Sequence, residues 1–369
     1  MLERKINKIM KVVVTGTRGI PNILGGVETH CEELFPYIAA TGYDITIIRR
    51  NSYVQDTLKE HKGIKLIDIN TPKKKSFEAI IHTVKAVWKA KKLKADIIHI
   101  HAIGPALVTP VARTLGLKVV FTHHGPDYDR DKWGKAAKLM LRMGERMGAK
   151  YANEVIVISE VINTIIKEKY NRTDAHLIYN GVPAPVFVEN VDYLNSLGIV
   201  PQKYIFAMGR FVPEKNFHQL IKAFSLLENK DGYQLVLAGD TDFEDEYSHE
   251  LKKLARDNGV ILTGFIKGRK LHELLTHASA FVLPSSHEGL PISLLEAMSY
   301  DLPVVVSDIP ANLEVGLSPD SYFQVGNEEK LMEKLQKLMN EKPTKRKYPL
   351  DNYHWENIAN QTIKVYEKI

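Results

Sequence analysis

The sequence contains one cysteine, Cys31, among its 369 residues. A single thiol excludes a disulfide framework within one chain and fits a reducing compartment. No apolar run reaches the about 20 residues needed to cross a bilayer, and no long apolar segment follows the basic N-terminus as it would in a secretory signal. We therefore expect a cytoplasmic protein without a membrane-spanning helix.

Two glycine-rich fingerprints are missing as well. The chain has neither the Gly-x-Gly-x-x-Gly pattern of dinucleotide-binding folds nor a P-loop with its lysine and hydroxyl residue. The first absence disfavours a conventional dehydrogenase. Nucleic acid is not an expected partner either, because no recognition motif accompanies the net charge of +6.

The basic residues are concentrated in the first half of the chain. Lys73, Lys74 and Lys75 form one cluster, and residues 87–94 form a second that includes Trp88. A solvated helix face is one interpretation. The other is a patch that makes peripheral contact with anionic lipid head groups, since a tryptophan lies among the lysines.

Short apolar runs alternate with helix-length amphipathic segments, which predicts an α/β protein with parallel sheets covered on both faces. The rhythm restarts after the turn-rich residues 180–185, so we predict two doubly wound domains, 1–185 and 186–354, with a hinge near 181–201. A C-terminal helix at about 355–369 is expected to pack back onto the first domain. Ligands of such sheets bind at the carboxyl ends of the strands, here in a cleft between the domains. Predicted strands lie at 11–15, 44–48, 64–69, 96–100, 118–122, 154–158, 204–207, 234–238, 260–262, 280–283 and 304–306.

The segment from Glu288 to Glu296 carries two carboxylates eight residues apart across a predicted helix start. Gly289 permits a tight turn, and Pro291 suits the first helical position. Free backbone N–H groups at a helix N-terminus bind phosphate. Carboxylates on both sides of such a site suit a nucleotide sugar, which has hydroxyls at both ends of a diphosphate. Alternatively, both side chains meet solvent and favour the helix dipole.

Two other loops are predicted to reach the same cleft. Gly25 and Gly26 precede a helix, where they would allow close approach of an anion. Arg210 and Lys215 flank a short loop after the first strand of the second half, where they could hold one diphosphate. A plain turn and two surface cations are the respective alternatives.

His123 and His124 end a predicted strand, and one of them could contact a transferred sugar or merely cap the strand. Asp127 and Asp129 follow, together with Asp131 in the same loop. Because bases alternate with these acids, we interpret the loop as solvated and expect no metal. The same interpretation applies to the acids at 240–246.

Together these segments resemble the retaining glycosyltransferases of family 4, whose GT-B fold consists of two Rossmann-like domains facing each other across a cleft. The resemblance extends from Lys11 to about Tyr366. Its most specific part is Glu288 to Glu296, which matches the E-x7-E motif of the family. The loop 209–215 is similar to its diphosphate-gripping loop. The Thr-Arg-Gly-Ile-Pro and His-His-Gly-Pro-Asp segments at 17–21 and 123–127 look closest to a branch that assembles capsule, O-antigen or exopolysaccharide.

The resemblance implies roles for particular residues. Glu288 would bind hydroxyls of the donor sugar, Glu296 would bind the ribose, and Gly264 and Phe265 belong to a segment similar to the base-binding one. His124, rather than His123, is the preferred sugar contact. The implied catalytic residues are His124, Glu288, Arg210 and Lys215. The implied donor-binding residues are Gly25, Gly26, Arg210, Lys215, Gly264, Phe265, Glu288, Gly289, Leu290 and Glu296.

The implied reaction transfers a sugar from a nucleotide diphosphate sugar, which is a co-substrate, to an acceptor hydroxyl with retained anomeric configuration. No cofactor or metal is expected. The implied acceptor is a saccharide linked to a polyprenyl diphosphate at the inner face of the plasma membrane. Front-face displacement is favoured over a covalent intermediate because no residue clearly suits the nucleophile. A nucleotide-sugar epimerase and a non-catalytic nucleotide-sugar-binding protein are the alternatives.

Overall fold

Two sheets form the frame of the computed structural model, which describes residues 9–71, 75–130, 133–341 and 344–369. In the first sheet the strands are β1 Lys11–Thr15, β2 Asp44–Arg50, β3 Glu60–His61, β4 Ile64–Ile69, β5 Ile97–His101, β6 Lys118–His123, β7 Glu154–Val157 and β8 His176–Leu177. In the second they are β9 Tyr204–Met208, β10 Gln234–Ala238, β11 Ile261–Gly264, β12 Ala280–Leu283, β13 Val304–Ser307 and β14 Tyr322–Phe323.

The strand order of each sheet determines where its loops open. The orders are β3-β4-β2-β1-β5-β6-β7-β8 and β11-β10-β9-β12-β13-β14, with every pairing parallel except β3 with β4. Each sheet therefore has a switch point, where its first strand lies between two later ones: β1 between β2 and β5, and β9 between β10 and β12. The loops after β1, β9 and β12 open at these points, where ligands of doubly wound sheets bind.

Helices cover the sheets, and their apolar sides face the strands. Runs such as Val12–Val14 and Phe281–Leu283 are buried, as expected for strands covered on both faces. No helix within the described ranges has the length and apolar character that a bilayer crossing requires. The helices are α1 Gly26–Ala40, α2 Lys75–Lys92, α3 Thr109–Thr114, α4 Lys135–Tyr151, α5 Glu160–Tyr170, α6 Asp192–Ser196, α7 Phe217–Ser225, α8 Glu246–Asp257, α9 Arg269–His277, α10 Ile292–Ser299, α11 Pro310–Leu313, α12 Glu328–Asn340 and α13 Trp355–Tyr366.

The chain passes between the two sheets twice, and the two passages lie side by side. The Val182 N–H donates to the carbonyl of Tyr353, and Val182 also forms a bridge with His354. The last helix, α13, then packs on α1, where Trp355 and Tyr366 enter the core beneath β1. The last helix thus completes the first sheet's core, while the domain limits 1–185 and 186–354 stay predictions.

The predicted class of two doubly wound parallel sheets is confirmed, and the differences are local. The two-residue strands β3, β8 and β14 were not predicted, because they are too short for a periodic pattern. Residues 105–114 form a 3₁₀ turn, Pro105–Val108, followed by α3 rather than one continuous helix. Pro110 lacks the N–H that would bond to Ala106, which explains the break. Helix α10 begins at Ile292, because Pro291 is still extended, with ψ of 107°.

Candidate functional site

The loops after β9 and β12 lie side by side because these strands are paired neighbours. The amide of Asn216 donates to the Pro284 carbonyl at 3.1 Å and ties the two loops together. At this position the Lys215 ammonium donates to a Glu288 carboxylate oxygen at 2.5 Å. Two residues predicted from separate motifs therefore meet at the switch point of the second sheet.

Arg210 lies in the same loop, and among the described residues its ion-pair partner is a distant one. Its guanidinium is 3.8 Å from the Asp242 carboxylate. Burial, followed by the positive charges of Arg18 and Arg130, lowers the pKa of Arg210. An anion beside this side chain would relieve both effects, as a diphosphate would.

Glu296 lies on the second turn of α10 and is only partly exposed. Its carboxylate makes no hydrogen bond or ion pair with another residue that the structure describes. Burial, and then the negative charge of Glu33, raise the pKa of Glu296 to about 7, against the opposing charge of Lys267. A carboxylate in this condition has its hydrogen-bonding capacity available for a ligand.

The segment after β11 lies near this carboxylate, as the charge of Lys267 on Glu296 indicates. The Phe265 ring is 39% exposed, with the Lys267 ammonium 5.9 Å from its centroid. Lys267 also pairs with Glu32 of α1 at 2.7 Å, which connects the two halves. A Cβ placed on Gly264 would meet nothing within 4 Å, so the surface above it is open.

The two neighbouring histidines point into different surroundings. His123 is the last residue of β6 and is fully buried, where its Nε2 is 2.8 Å from Glu145. Its Nδ1 accepts the Gly125 N–H at 3.0 Å, while Tyr128 and Tyr170 donate to the same glutamate. The capping interpretation therefore describes His123.

His124 instead lies with two other histidines at the edge of the first sheet. Its Nε2 is 2.9 Å from Nδ1 of His101, and its ring centre is 4.8 Å from that of His30. Burial is the main cause that lowers the pKa of all three, to about 4 for His30, so neutral imidazoles are expected at pH 7. One nitrogen from each ring lies within 4.8 Å of the others, so the cluster could hold a metal. The absence of a required metal stays a prediction.

The strand-end loop of the first sheet contacts the loop that carries Glu288. A Cβ placed on Gly289 would lie 2.1 Å from the carbonyl oxygen of His124. A Cβ on Gly125 would lie 3.6 Å from the Gly289 Cα. The Asn180 amide donates across the same boundary to the Leu290 carbonyl at 2.8 Å. The backbone of Gly289 and that of the histidine loop can approach this closely only without a side chain at Gly289.

The loop after β1 contains an ion pair that accounts for one of the predicted glycines. Arg18 donates to both carboxylate oxygens of Glu28 and also to Asp242 in the second half. Although burial opposes it, the charge of Arg18 lowers the pKa of Glu28 to about 2. A Cβ on Gly25 would lie 2.2 Å from Glu28, so Gly25 accommodates this pair, whereas a Cβ on Gly26 would be in open space.

Two loops interpreted as solvated are in fact part of the contact between the halves, so that interpretation is wrong for them. Arg130 pairs with Asp127 at 2.8 Å and with Glu214 of the second half at 3.2 Å. Asp242 receives Arg18 and lies near Arg210. Sequence reasoning missed these residues because each partner comes from the other half of the chain.

Part of the predicted basic patch and acidic loop falls on undescribed positions. Lys73, Lys74, Asp131 and Lys132 lie outside the described residues, as does the Lys75 side chain. The Trp88 side chain on α2 is 50% exposed and has lysines beside it in sequence. The exposed Trp88 ring is therefore compatible with the lipid-contact interpretation, which stays a prediction.

Comparison with known proteins identifies the families that the two halves of the chain match. The model of "Glycosyltransferase Family 4" matches residues 24–184, and that of "Glycosyl transferases group 1" matches residues 193–353. The uncharacterized glycosyltransferase MJ1607 of Methanocaldococcus jannaschii is 25% identical over 97% of this chain and 98% of its own. The UDP-Gal:alpha-D-GlcNAc-diphosphoundecaprenol alpha-1,3-galactosyltransferase of Escherichia coli is 28% identical over 79% of this chain and 78% of its own.

Among solved structures, Anabaena Alr3699/HepE in complex with UDP and glucose superposes with a TM-score of 0.79. It is 17% identical and covers 98% of this chain and 100% of its own, a likeness that concerns the fold. The first family model covers β2 to β8, and the second covers β9 to β14. With the paired glutamates, the cationic loop and the two-sheet architecture, these matches show that the chain belongs to glycosyltransferase family 4 and has the GT-B fold.

Proposed function

We propose that this glycosyltransferase moves a sugar from a nucleoside diphosphate sugar to a saccharide acceptor linked to a polyprenyl diphosphate, with retained anomeric configuration. One observation carries the proposal. Arg210, Lys215 and Glu288 converge at the switch point of the second sheet, and the loop of Glu288 lies against the backbone of His124.

The donor diphosphate is assigned to Arg210 and Lys215. In the free protein Lys215 is neutralised by Glu288 at 2.5 Å. A bound diphosphate would compete for the ammonium and free Glu288 to accept hydrogen bonds from sugar hydroxyls. Glu296 would accept hydrogen bonds from the ribose, and the exposed face of Phe265 would meet the base.

The first donors to test are uridine diphosphate sugars. The Escherichia coli relative is named for UDP-galactose, and the Anabaena neighbour was solved with UDP and glucose. The same E. coli relative is named for an acceptor linked to undecaprenol through a diphosphate. That name and the half-exposed Trp88 support a lipid-linked acceptor, peripheral contact with an anionic membrane, and a place in surface-polysaccharide assembly.

The proposed chemistry is front-face displacement. The bond between the anomeric carbon and the phosphate oxygen breaks, the acceptor oxygen bonds to that carbon on the same face, and the leaving phosphate oxygen takes the acceptor proton. Arg210 and Lys215 would stabilise the charge that develops on the leaving group. His124, as a neutral imidazole, would hydrogen-bond a sugar hydroxyl. Glu288 is already engaged by Lys215, which favours hydroxyl binding over a role as nucleophile.

The test is a donor screen with purified protein. Each uridine, guanosine and thymidine diphosphate sugar is mixed with N-acetylglucosamine linked by a diphosphate to a short prenyl chain, and the products are analysed by mass spectrometry. One donor is expected to yield free nucleoside diphosphate and an acceptor heavier by one sugar, with retention seen by NMR. Glu288→Gln should bind this donor but turn over slowly.

Two other outcomes would contradict the proposal. A new nucleotide sugar formed without any acceptor would identify an epimerase. Donor binding without turnover across the acceptor panel would identify a binding protein. An inverted product linkage would remove the retaining mechanism alone.

A further inference from the structure

Strand β2 ends in two consecutive arginines that point to opposite faces of the sheet, as successive strand residues do. Arg49 has no solvent exposure, and its guanidinium is fully used. It donates to Asp68 at 2.6 Å, to Asp56 at 2.9 Å, and to the carbonyls of Ile20 and Leu58 at 3.0 and 3.1 Å. The structural role of Arg49 is therefore complete without a ligand.

Arg50 is the opposite case. Its Nε is shielded from solvent and has no hydrogen-bond partner, and its guanidinium forms no ion pair with another described residue. Burial lowers the pKa of Arg50 against the opposing charges of Glu28, Tyr53 and Glu78, and the positive charge of Arg18 lowers it further. Glu28 does not neutralise Arg50 directly, because both of its carboxylate oxygens accept hydrogen bonds from Arg18.

The position of Arg50 places it on the cleft side of the first sheet. It is the last residue of β2, and its N–H donates to the Arg18 carbonyl in the loop after β1 at 2.8 Å. The nearby Tyr53 ring lies 5.6 Å from Phe243 of the second half. Arg50 thus lies where the two halves meet, but on the half opposite the loop that carries Arg210 and Lys215.

We propose that Arg50 anchors a second anion subsite, which binds a phosphate of the diphosphate-linked acceptor while Arg210 and Lys215 hold the donor. The inference rests on the proposed function. A half-buried guanidinium without a partner costs free energy that an anionic ligand recovers. The planar fork of arginine binds phosphate through two parallel hydrogen bonds. The acceptor, rather than the donor, is assigned to Arg50 because β2 belongs to the half opposite the donor loops.

The first experiment compares two acceptors that differ only in the diphosphate. One is N-acetylglucosamine attached through a diphosphate to a short prenyl chain, and the other is the corresponding prenyl glycoside. Arg50→Gln is expected to raise the KM for the first by about tenfold to hundredfold and to leave the KM for the second unchanged. Arg50→Lys, which keeps the charge but not the fork, should fall between. Arg256→Gln, at an exposed position on α8, is the matched control and should change neither KM.

The second experiment does not depend on turnover. The protein is saturated with UDP or GDP, whichever binds more tightly, and titrated with inorganic pyrophosphate in a calorimeter. Wild type should bind pyrophosphate under these conditions, and Arg50→Gln should lose this binding while its nucleotide affinity and melting temperature are retained. Should Arg50→Gln fail to fold, Arg50→Lys serves in both experiments.

Three results would overturn the subsite: no pyrophosphate binding to the nucleotide-saturated wild type, equal changes in KM for both acceptors, or a nucleotide affinity that falls with the pyrophosphate affinity. The last would assign Arg50 to the donor. If no donor and acceptor pair reacts, the proposed function fails, but the calorimetric result still decides the role of Arg50.

Discussion

The two sheet edges that face the cleft differ in how their charged side chains are satisfied. At the edge of the first sheet, Arg18 and Glu28 saturate each other, and His123 shares the buried Glu145 with two tyrosines. These groups are fixed before any ligand arrives. Their hydrogen bonds hold the loops after β1 and β6 in place.

The edge of the second sheet is less complete. Arg210 has a carboxylate only at 3.8 Å, and Glu296 makes no hydrogen bond or ion pair within the described ranges. Burial lowers the pKa of Arg210 and raises that of Glu296, which in both cases favours the neutral form. The difference indicates that the first edge is a prepared surface and that the second awaits a charged ligand. Arg50 differs from the other charged residues of the first edge because its buried Nε has no hydrogen-bond partner, and this is the basis for the proposed acceptor subsite.

The largest expected effect comes from removing the Glu145 carboxylate at the edge of the first sheet, where the hydrogen bonds are complete. Glu145→Ala would leave His123, Tyr128 and Tyr170 without their buried acceptor, and we expect the free energy of unfolding to fall by about 3–5 kcal/mol. Urea denaturation measures this. Glu145→Gln keeps one acceptor oxygen and should lose less. A loss below about 1 kcal/mol for the alanine variant would mean that the network is not structural.

The next effect tests the contact between the two edges. Gly289→Ala places a methyl group 2.1 Å from the His124 carbonyl, so the Glu288 loop must shift, and we expect kcat/KM to fall by about hundredfold. Gly26→Ala is the matched control for stability, because its methyl group would meet nothing within 4 Å. Its melting temperature should equal that of wild type, with any loss confined to donor affinity. Full activity in Gly289→Ala would show that the loops separate during turnover.

A smaller effect is expected from removing a charge at the incomplete edge. Lys215→Ala should raise the dissociation constant of the nucleoside diphosphate by about tenfold to thirtyfold, as loss of a charged hydrogen bond does. Its free energy of unfolding should fall as well, because the Lys215 and Glu288 side chains are only 16% and 12% exposed and the change leaves the Glu288 carboxylate without its counter-charge. Lys222→Ala, at an exposed lysine 3.8 Å from Glu328, is the control. Calorimetry that shows equal affinities for both variants would remove Lys215 from the donor site.

The sequence predicted the parts of this comparison that lie close together in the chain. Strand and helix periodicity predicted the two doubly wound sheets, because a buried parallel strand is a short apolar run. The pair Lys215 and Glu288 could be anticipated, since both follow adjacent strands of one sheet. The preference for His124 over His123 came from the family resemblance and not from the strand pattern. Their surroundings became visible once β6 was seen to end at His123.

What could not be predicted depends on how the halves meet. Arg130 pairs with Glu214, Lys267 with Glu32, and Arg18 with Asp242, and in each pair the residues come from opposite halves. Local patterns carry no information about such contacts, so the three acids looked like ordinary surface residues of a loop or a helix. His30 and His101 were missed for a related reason: each is an unremarked histidine within a helix or strand until β5, β6 and α1 bring them to His124.

The smallest expected effect is a pH dependence that belongs to Glu296 alone. Burial raises its pKa from 4.5 to about 7 in the folded protein, so its contribution to stability is present below pH 4.5 and is lost as the pH rises through 7. Ribose hydroxyls donate hydrogen bonds best to the ionised carboxylate. Since about one-tenth of Glu296 is ionised at pH 6, nucleoside diphosphate affinity should rise about tenfold between pH 6 and pH 8.

The control for this dependence is Glu296→Gln, measured by calorimetry at the same pH values. The phosphates of the ligand also titrate in this range, but they do so equally for both proteins and cancel in the ratio of affinities. That ratio should therefore grow in favour of wild type as the pH rises, while the stability advantage of the variant also grows, because glutamine has no charge to bury. If the affinity ratio stays constant with pH while the difference in stability between the two proteins changes, Glu296 titrates as a buried group but does not contact the nucleotide. Constancy of both would mean that the carboxylate titrates near its ordinary pKa, and the incomplete edge would then consist of Arg210 alone.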